Sequence, residues 1–226
     1  LNIIILDEMN LARIEYYFAE FLSIMEMPNV NEWKIDIVPA VLENDPKNFR
    51  EGKILVPQNL WFVGTANRDD STFTITDKVY DRAITIEMNY RAQYIDAPYT
   101  EAVTMSYDYM EHLFQEGIKA NPIDSKLMDK IIKVDSFIAK TFKITFGNRI
   151  MKQLKNFIPA YVACGGKDLE AIDYFISMKI LRKFEALNLS FLQQEIAQLI
   201  ALFNKLFGKD TFSISIDYLT ELLKTV

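Results

Sequence analysis

Two carboxylates directly follow an apolar run near the start of the chain, where they can bind a metal ion and activate water. Ile3–Leu6 is an unbroken apolar run, and Asp7 and Glu8 follow it at once. Such a run is typical of a strand covered on both faces in a parallel α/β sheet, and ligands bind at the carboxyl edge of these sheets. In nucleotide hydrolysis Asp7 would hold Mg²⁺ through water and Glu8 would polarise the attacking water. Taken alone, the stretch fits an ordinary buried strand that ends in an acidic turn equally well.

A carboxamide and an arginine further along the chain suit the same chemistry. Asn67 follows a second apolar run, Leu60–Gly64. An amide beside the carboxylates can hydrogen-bond both the attacking water and the γ-phosphate without repelling either. Arg82 would lie in the last turn of a short helix, where it can reach a neighbouring subunit's nucleotide and offset transition-state charge. The alternative for Arg82 is a surface ion pair with Asp77 or Glu87.

These candidate residues need a sheet to position them, and the pattern over the first 90 residues predicts one. It indicates strand, helix, β-hairpin, strand, short helix and strand, an order that suits part of a parallel α/β sheet. From about Pro98 the apolar period becomes helical. We therefore place a domain boundary near 92–98, with an α/β domain over 1–95 and an all-α domain over 96–226. The predicted elements are strands over 3–6, 60–64 and 84–88, a hairpin over 33–57, a helix over 11–25 capped by Asn10, and helices over 77–83, 107–117, 125–142, 148–163, 168–187, 190–208 (opened by a capping box at Ser190) and 217–224.

Composition limits the classes of protein to which the chain can belong. Its 226 residues are 50% hydrophobic, which is enough for a sizeable core. One cysteine, Cys164, excludes an internal disulfide framework and makes a reducing, cytoplasmic setting the default. With a single histidine, His112, a usual zinc site is excluded too. The net charge of −6 argues against a broad nucleic-acid-binding face. No apolar run approaches the ~20 residues that a membrane-spanning helix needs. Because Leu1 stands within a predicted core strand, we expect the chain to be a piece of a longer protein.

Several of these stretches resemble motifs of one protein family. Ile3–Glu8 resembles the Walker B motif of the AAA+ ATPases, and Asn67 resembles their sensor 1. The phrase Leu60–Asp70 is more specific, because it is similar to the branch that holds McrB, MoxR and the dynein-related proteins. McrB-like members carry Asn-x-x-Asp after a Gly-Thr pair, and Asn67 and Asp70 match that spacing. A hairpin before the sensor strand also fits the branch, and Asp77–Arg82 resembles the segment that carries the arginine finger.

The resemblance implies a fold, a set of ligands and an assembly. The fold would be part of a P-loop-type αβα parallel sheet with a β-hairpin insert, followed by a helical lid. The ligands would be ATP or GTP with Mg²⁺, bound between the subunits of a homo-oligomeric ring that we expect to be hexameric. Arg149, which opens a long helix, resembles the sensor 2 arginine of the lid, and Arg182 is a further candidate for nucleotide or partner contact. By this resemblance Glu8, Asn67 and Arg82 would be catalytic, and Asp7, Asp70 and Arg149 would contact the nucleotide and its metal ion.

The chain departs from the family pattern in three places. None of its seven glycines belongs to a P-loop, and we expect that loop to lie upstream of Leu1. Ala83 stands where McrB-like relatives often continue with a second arginine, which leaves the finger to Arg82 alone. Ala66 and Ser71 differ from the McrB pattern, so a preference for GTP does not carry over.

We interpret the chain as part of an AAA+ nucleoside triphosphatase that couples hydrolysis to remodelling or translocation of a partner. A McrB-like restriction motor is one such protein, and its partner would be a client or a nuclease subunit. Without a P-loop, the chain alone is expected to hydrolyse no nucleotide and to bind it weakly. Two alternatives stay open, a non-catalytic interaction module built on an AAA+ skeleton and a MoxR-type chaperone ATPase.

Overall fold

The computed structural model describes residues 1–39, 44, 46, 49–67, 69, 71–88, 91 and 93–224 of the chain. They form two compact units, Leu1–Ala83 and Ile84–Val226, which we call unit 1 and unit 2 and describe separately. Unit 1 mixes strands and helices, whereas unit 2 is mostly helical. The coarse class expected from the sequence, α/β followed by helices, is therefore confirmed.

Unit 1 contains short strands and short helices. In the described residues its elements, in chain order, are β1 (Asn2–Leu6), α1 (Ile14–Tyr17), α2 (Ala19–Ile24), β2 (Lys34–Asp36), β3 (Phe49–Arg50), β4 (Lys53–Leu55), β5 (Leu60–Gly64) and α3 (Asp77–Tyr80).

The first and last strands of unit 1 lie side by side and run in the same direction. β1 pairs with β5 in parallel, and the register runs from Asn2 opposite Leu60 to Leu6 opposite Gly64. Both strands are five residues long and end level with each other. The residues that follow β1 therefore lie next to the residues that follow β5.

The predicted hairpin over 33–57 is confirmed as an antiparallel pairing of β2 with β4, and β3 adds a third strand in the order β2-β4-β3. Glu51 and Gly52 join β3 to β4 with φ values of 54° and 75°, which is typical of a tight hairpin turn. A Cβ on Gly52 would lie 2.1 Å from the carbonyl oxygen of Val38, so this position requires glycine. Most of the predicted hairpin tip, residues 40–43, 45, 47 and 48, lies outside the described residues.

One face of the parallel pair is covered, and the other is open. Side chains from α1, α2 and α3 form a small core that packs on one face; its buried members are Ile14, Phe18, Leu22 and Val79, with Leu6 and Phe62 packed against them. On the opposite face Ile3, Ile5, Trp61 and Val63 are 55%, 66%, 42% and 47% exposed. The expectation that both faces of β1 are covered is therefore wrong for the residues that the structure describes.

The single helix predicted over 11–25 is broken. Phe18 has φ −113° and ψ 8°, which separates α1 from α2. Asn10 lies in a 3₁₀ turn over Met9–Leu11 and caps neither this turn nor α1. The apolar period correctly predicts the buried face, because Ile14, Phe18 and Leu22 all belong to the core. It does not indicate where the backbone breaks.

The strand predicted over 84–88 is wrong, since these residues form no strand in the structure. They belong to unit 2, where the Tyr174 hydroxyl donates to the carbonyl oxygen of Thr85 at 2.7 Å and Glu87 forms an ion pair with Arg182. These two attachments explain why the division into compact units falls after Ala83, whereas the sequence pattern changes near residue 96.

Unit 2 is built from helices around an aromatic core. Its described helices are α4 (Tyr107–Ala120), α5 (Ser125–Phe142), α6 (Gly147–Ala163), α7 (Asp168–Lys179), α8 (Gln193–Phe207) and α9 (Ser213–Lys224). Five phenylalanines are almost fully buried among them: Phe146, Phe175, Phe184, Phe203 and Phe212. No helix in the described ranges has both the length and the apolar character needed to cross a membrane.

The helices predicted for this region are confirmed in number and approximate position, with three corrections. The helix predicted over 168–187 ends at Lys179, and a 3₁₀ helix over Leu181–Ala186 follows it. The capping box at Ser190 is wrong, because residues Leu189–Phe191 form a 3₁₀ turn and α8 begins after Leu192 without a side-chain cap. The last helix begins four residues earlier than predicted, at Ser213 rather than Asp217. Its start is fixed by Asp173 of α7, whose two carboxylate oxygens each accept a backbone N–H, from Ile214 and Ser215, at 2.9 Å.

Candidate functional site

The carboxyl ends of β1 and β5 bring the main predicted residues to one edge of the sheet. Asp7 and Glu8 follow β1, and Asn67 lies three residues past the end of β5, whose last residue, Gly64, is paired with Leu6. All three of these polar residues are exposed at this edge. We refer to the segments 7–10 and 65–67 together as the strand-end site.

Thr65 connects the two halves of the strand-end site through four hydrogen bonds. Its backbone N–H donates to the carbonyl oxygen of Leu6 at 3.0 Å, and its own carbonyl oxygen accepts the N–H of Met9 at 2.8 Å. Its hydroxyl oxygen accepts the N–H of Glu8 at 2.8 Å, and the hydroxyl proton is donated to Oδ1 of Asp7 at 2.6 Å. Thr65 therefore bonds to three consecutive residues that follow β1: Asp7, Glu8 and Met9.

The turn held by Thr65 contains a residue in a left-handed conformation. Glu8 has φ 49° and ψ 45°, a conformation that costs a non-glycine residue about 1–2 kcal/mol. The hydrogen bond from its N–H to Thr65 and the neighbouring bond from Met9 offset this cost. Strained backbone of this kind is frequent at functional sites, although it does not identify a function by itself.

A buried asparagine holds the second half of the site. Asn10 is only 3% exposed, and its Nδ2 donates to the carbonyl oxygens of Asn67 at 2.7 Å and Phe73 at 3.2 Å. The backbone of Phe73 returns a bond to the carbonyl oxygen of Asn10 at 2.9 Å, and Thr72 donates its hydroxyl to the carbonyl oxygen of Asn67 at 3.0 Å. The backbone of Asn67 is thus fixed from two sides, which leaves its side chain at the exposed edge.

The acidic residues after Asn67 are only partly described. Asp69 accepts hydrogen bonds from the backbone N–H and the hydroxyl of Ser71, at 2.9 and 2.6 Å. These bonds stabilise the ionised carboxylate and hold the pKa of Asp69 below its usual value. Asp70, the predicted partner of Asn67 in the Asn-x-x-Asp spacing, lies outside the described residues.

Arg82 is held by groups of its own unit. Its Nε lies 2.6 Å from Oε1 of Glu26 and donates to the carbonyl oxygen of Leu22 at 3.1 Å. Its Nη1 donates to the carbonyl oxygen of Lys78. The ion pair that the sequence suggested with Asp77 or Glu87 is therefore made with Glu26, and Glu87 pairs with Arg182 in unit 2.

Arg149 lies in unit 2, in the first turn of α6, and is exposed. The start of this helix is fixed by the backbone N–H of Phe146, which donates to Oδ1 of Asp135 at 2.9 Å. A cation in the first turn is disfavoured by the helix dipole. The role of Arg149 as a nucleotide contact stays a prediction from the resemblance.

Sequence reasoning missed Thr65 and misread Asn10. Thr65 stands inside the phrase that suggested the family, but only the parallel register shows that its hydroxyl lies opposite Asp7 and Glu8. The available signal was that two apolar runs, Ile3–Leu6 and Leu60–Gly64, are each followed by polar residues, since the carboxyl ends of parallel strands lie at the same edge of a sheet. The tertiary contact of Asn10 has no comparable signal, because its partners are backbone carbonyls far along the chain.

The strand-end site offers oxygen ligands and hydrogen-bonding groups for a hydrated anion or cation. Among the described residues, no group of three or more His, Cys, Asp or Glu side chains is arranged to hold a metal ion directly. Comparison with known proteins gives no family for the chain: no family model, no curated protein and no solved structure matches it.

Proposed function

We propose that the chain is part of a nucleoside triphosphatase whose Mg-nucleotide binds at the strand-end site. The observation that carries the proposal is the arrangement of Asp7, Glu8 and Asn67 at one edge of a parallel strand pair, with Thr65 bonded to both acidic residues. The carboxyl edge of parallel strands is where ligands of α/β proteins bind. The resemblance of the same residues to Walker B and sensor 1 supports the nucleotide as that ligand.

The residues present suit Mg²⁺ as the metal ion. Mg²⁺ retains several waters and is usually held by one or two carboxylates together with substrate phosphates. Asp7 is a carboxylate at the exposed edge, and the Thr65 hydroxyl occupies only one of its oxygens. Bound there, the ion would neutralise charge on the phosphates.

The remaining side chains would orient the reactants. The Glu8 carboxylate would accept a proton from the attacking water and orient its lone pair, the role of a general base. The Asn67 amide would donate a hydrogen bond to a phosphate oxygen and accept one from that water. Phosphoryl transfer requires positioning and electrostatic stabilisation rather than covalent chemistry by the protein, so these few groups would form a meaningful part of the site.

The resemblance also supports an assembly. In a ring of identical subunits, expected to be hexameric, Arg82 would act on the nucleotide of the neighbouring subunit. The guanidinium is paired with Glu26 of its own chain, so this role requires Arg82 to exchange Glu26 for phosphate oxygens. Hydrolysis of ATP or GTP would drive work on a client protein or a nuclease subunit.

The pairing of Arg82 with Glu26 also favours a second candidate function. If this ion pair persists in the assembly, the arginine cannot serve a neighbouring nucleotide. The chain would then be a non-catalytic interaction module built on the same skeleton.

Replacing Glu8 distinguishes the two functions. In the full-length protein, Glu8→Gln removes the base while preserving size, so phosphate release from MgATP or MgGTP should fall at least about 100-fold, within the range of general-base catalysis. Glu116→Gln in α4, whose exposed carboxylate pairs with nearby Lys119, is the matched control and should retain full turnover. Unchanged turnover in Glu8→Gln, measured by the same phosphate assay, would contradict the enzyme proposal.

A further inference from the structure

The hydroxyl of Thr65 has a fixed direction of hydrogen bonding. A backbone N–H can only donate, so the Thr65 oxygen must act as the acceptor toward Glu8, at 2.8 Å. The single hydroxyl proton is then available for Oδ1 of Asp7, at 2.6 Å, a distance typical of a bond to an ionised carboxylate. One oxygen atom thereby sets the turn at Glu8 and the orientation of the Asp7 carboxylate together.

The hydroxyl is not needed to join the strand ends. The backbone of Thr65 already bonds to Leu6 and to Met9, at 3.0 and 2.8 Å. These two bonds join the strand ends whatever side chain stands at position 65. The hydroxyl adds the contact to a carboxylate side chain, which is the contact that matters for a bound cation.

We infer that Thr65 is a positioning residue that orients the Asp7 carboxylate for the metal ion and fixes the turn from which Glu8 projects. This inference rests on the proposed function. The hydroxyl engages Oδ1, so the Asp7 carboxylate would be held in one orientation toward a hydrated cation. Groups that orient a metal-binding side chain contribute 10- to 100-fold to metal affinity or activity in other proteins, and a similar size is expected here.

The inference is tested in the full-length protein with three variants at Thr65. Thr65→Val keeps the shape of the side chain but lacks the hydroxyl. Thr65→Ala lacks both the hydroxyl and the methyl group, and Thr65→Ser keeps the hydroxyl and lacks only the methyl group. The variants without the hydroxyl should need about 10-fold more Mg²⁺ for half-maximal hydrolysis and should lose kcat by a similar factor. For Thr65→Ser, the Mg²⁺ concentration for half-maximal hydrolysis and kcat should both stay within about threefold of the values for the natural protein. Thr220→Val, which removes a hydroxyl bonded within helix α9, is the matched control and should change neither quantity.

The Mg²⁺ requirement separates positioning from simple support of the fold. A purely structural role would lower the Tm of the variants and leave their Mg²⁺ requirement unchanged, and this outcome would overturn the inference. Misfolding of both Thr65→Val and Thr65→Ala would overturn it as well, because the hydroxyl would then be needed for folding. Failure of the proposed function gives a different pattern, in which the natural protein does not hydrolyse nucleotide or Glu8→Gln remains fully active.

Discussion

Replacing Asn10 with leucine should loosen the segment that carries Asn67 without removing any predicted catalytic group. Leucine is similar in size to asparagine but cannot make the two hydrogen bonds that Asn10 donates to the carbonyl oxygens of Asn67 and Phe73. Asn10 is 3% exposed, so water cannot easily replace these bonds. The variant should therefore be less stable in unit 1.

The size of the effect follows from the contacts. Each net hydrogen bond contributes about 0.5–1.5 kcal/mol, so losing two costs about 1–3 kcal/mol. Part of this is offset, because Oδ1 of Asn10 is buried and finds no partner among the described residues, and its removal relieves a desolvation penalty. We expect a net loss of about 1 kcal/mol, at the lower end of this range, which would move the urea midpoint by about 0.5 M for a typical slope.

The chain offers a direct optical assay for this change. Its two tryptophans, Trp33 and Trp61, both lie in unit 1, so tryptophan fluorescence during urea unfolding of the whole chain reports unit 1 alone. Asn31→Leu, at an exposed asparagine in the same unit, is the control and should stay within about 0.5 kcal/mol of the natural protein. A midpoint for Asn10→Leu equal to that of this control would refute the reasoning that Asn10 holds the Asn67 segment.

Two further predictions concern contacts outside the strand-end site. A hydrogen bond from the Thr76 hydroxyl lowers the pKa of Glu15 below its ordinary 4.5. The ionised carboxylate therefore stabilises the fold above pH 4.5. This contribution is lost as the pH falls through the lower pKa of the folded state. Glu15→Gln should therefore show a shallower loss of unit 1 stability on acidification, and tryptophan-monitored acid titrations of equal slope would contradict this expectation. Asp173→Ala leaves two backbone N–H groups at the start of α9 without their acceptor. Each unpaired N–H costs roughly 1–3 kcal/mol, so the free energy of unfolding should fall by about 3 kcal/mol. Urea unfolding followed by circular dichroism tests this, and a loss below about 1 kcal/mol would show that the cap contributes little.

The strands that carry the site were predictable because unbroken runs of β-branched and aromatic residues favour extended backbone. The apolar run before Asp7 and the run before Asn67 each correspond to an observed strand, and the polar residues that follow both runs lie at the same edge. Helix α5 was predicted at its observed bounds from its apolar period, and the structure shows what ends it on both sides. The Asp124 side chain caps its start, and Lys143 leaves the helix in a left-handed conformation.

The parts that sequence reasoning missed depend on contacts between distant residues. Nothing local indicates that Glu26 pairs with Arg82, because the two residues meet only after α2 and α3 are packed in the same unit. The alternation over 84–88 predicts that Ile84, Ile86 and Met88 face a core, but all three are exposed, and Thr85 and Glu87 make the contacts to Tyr174 and Arg182. In this segment the periodic pattern therefore does not give the buried face.

The open face of the parallel pair has a consequence for how unit 1 behaves in solution. Ile3, Ile5, Trp61 and Val63 keep roughly half of their surface in water, so their apolar character adds little to the stability of the unit as described. Threonine at these positions should keep the strand nearly as stable, because it is β-branched and favours extended backbone. Because Ile3 is paired with Trp61 and Ile5 with Val63, the four side chains form one contiguous apolar patch, and patches of this kind favour association with other apolar surfaces.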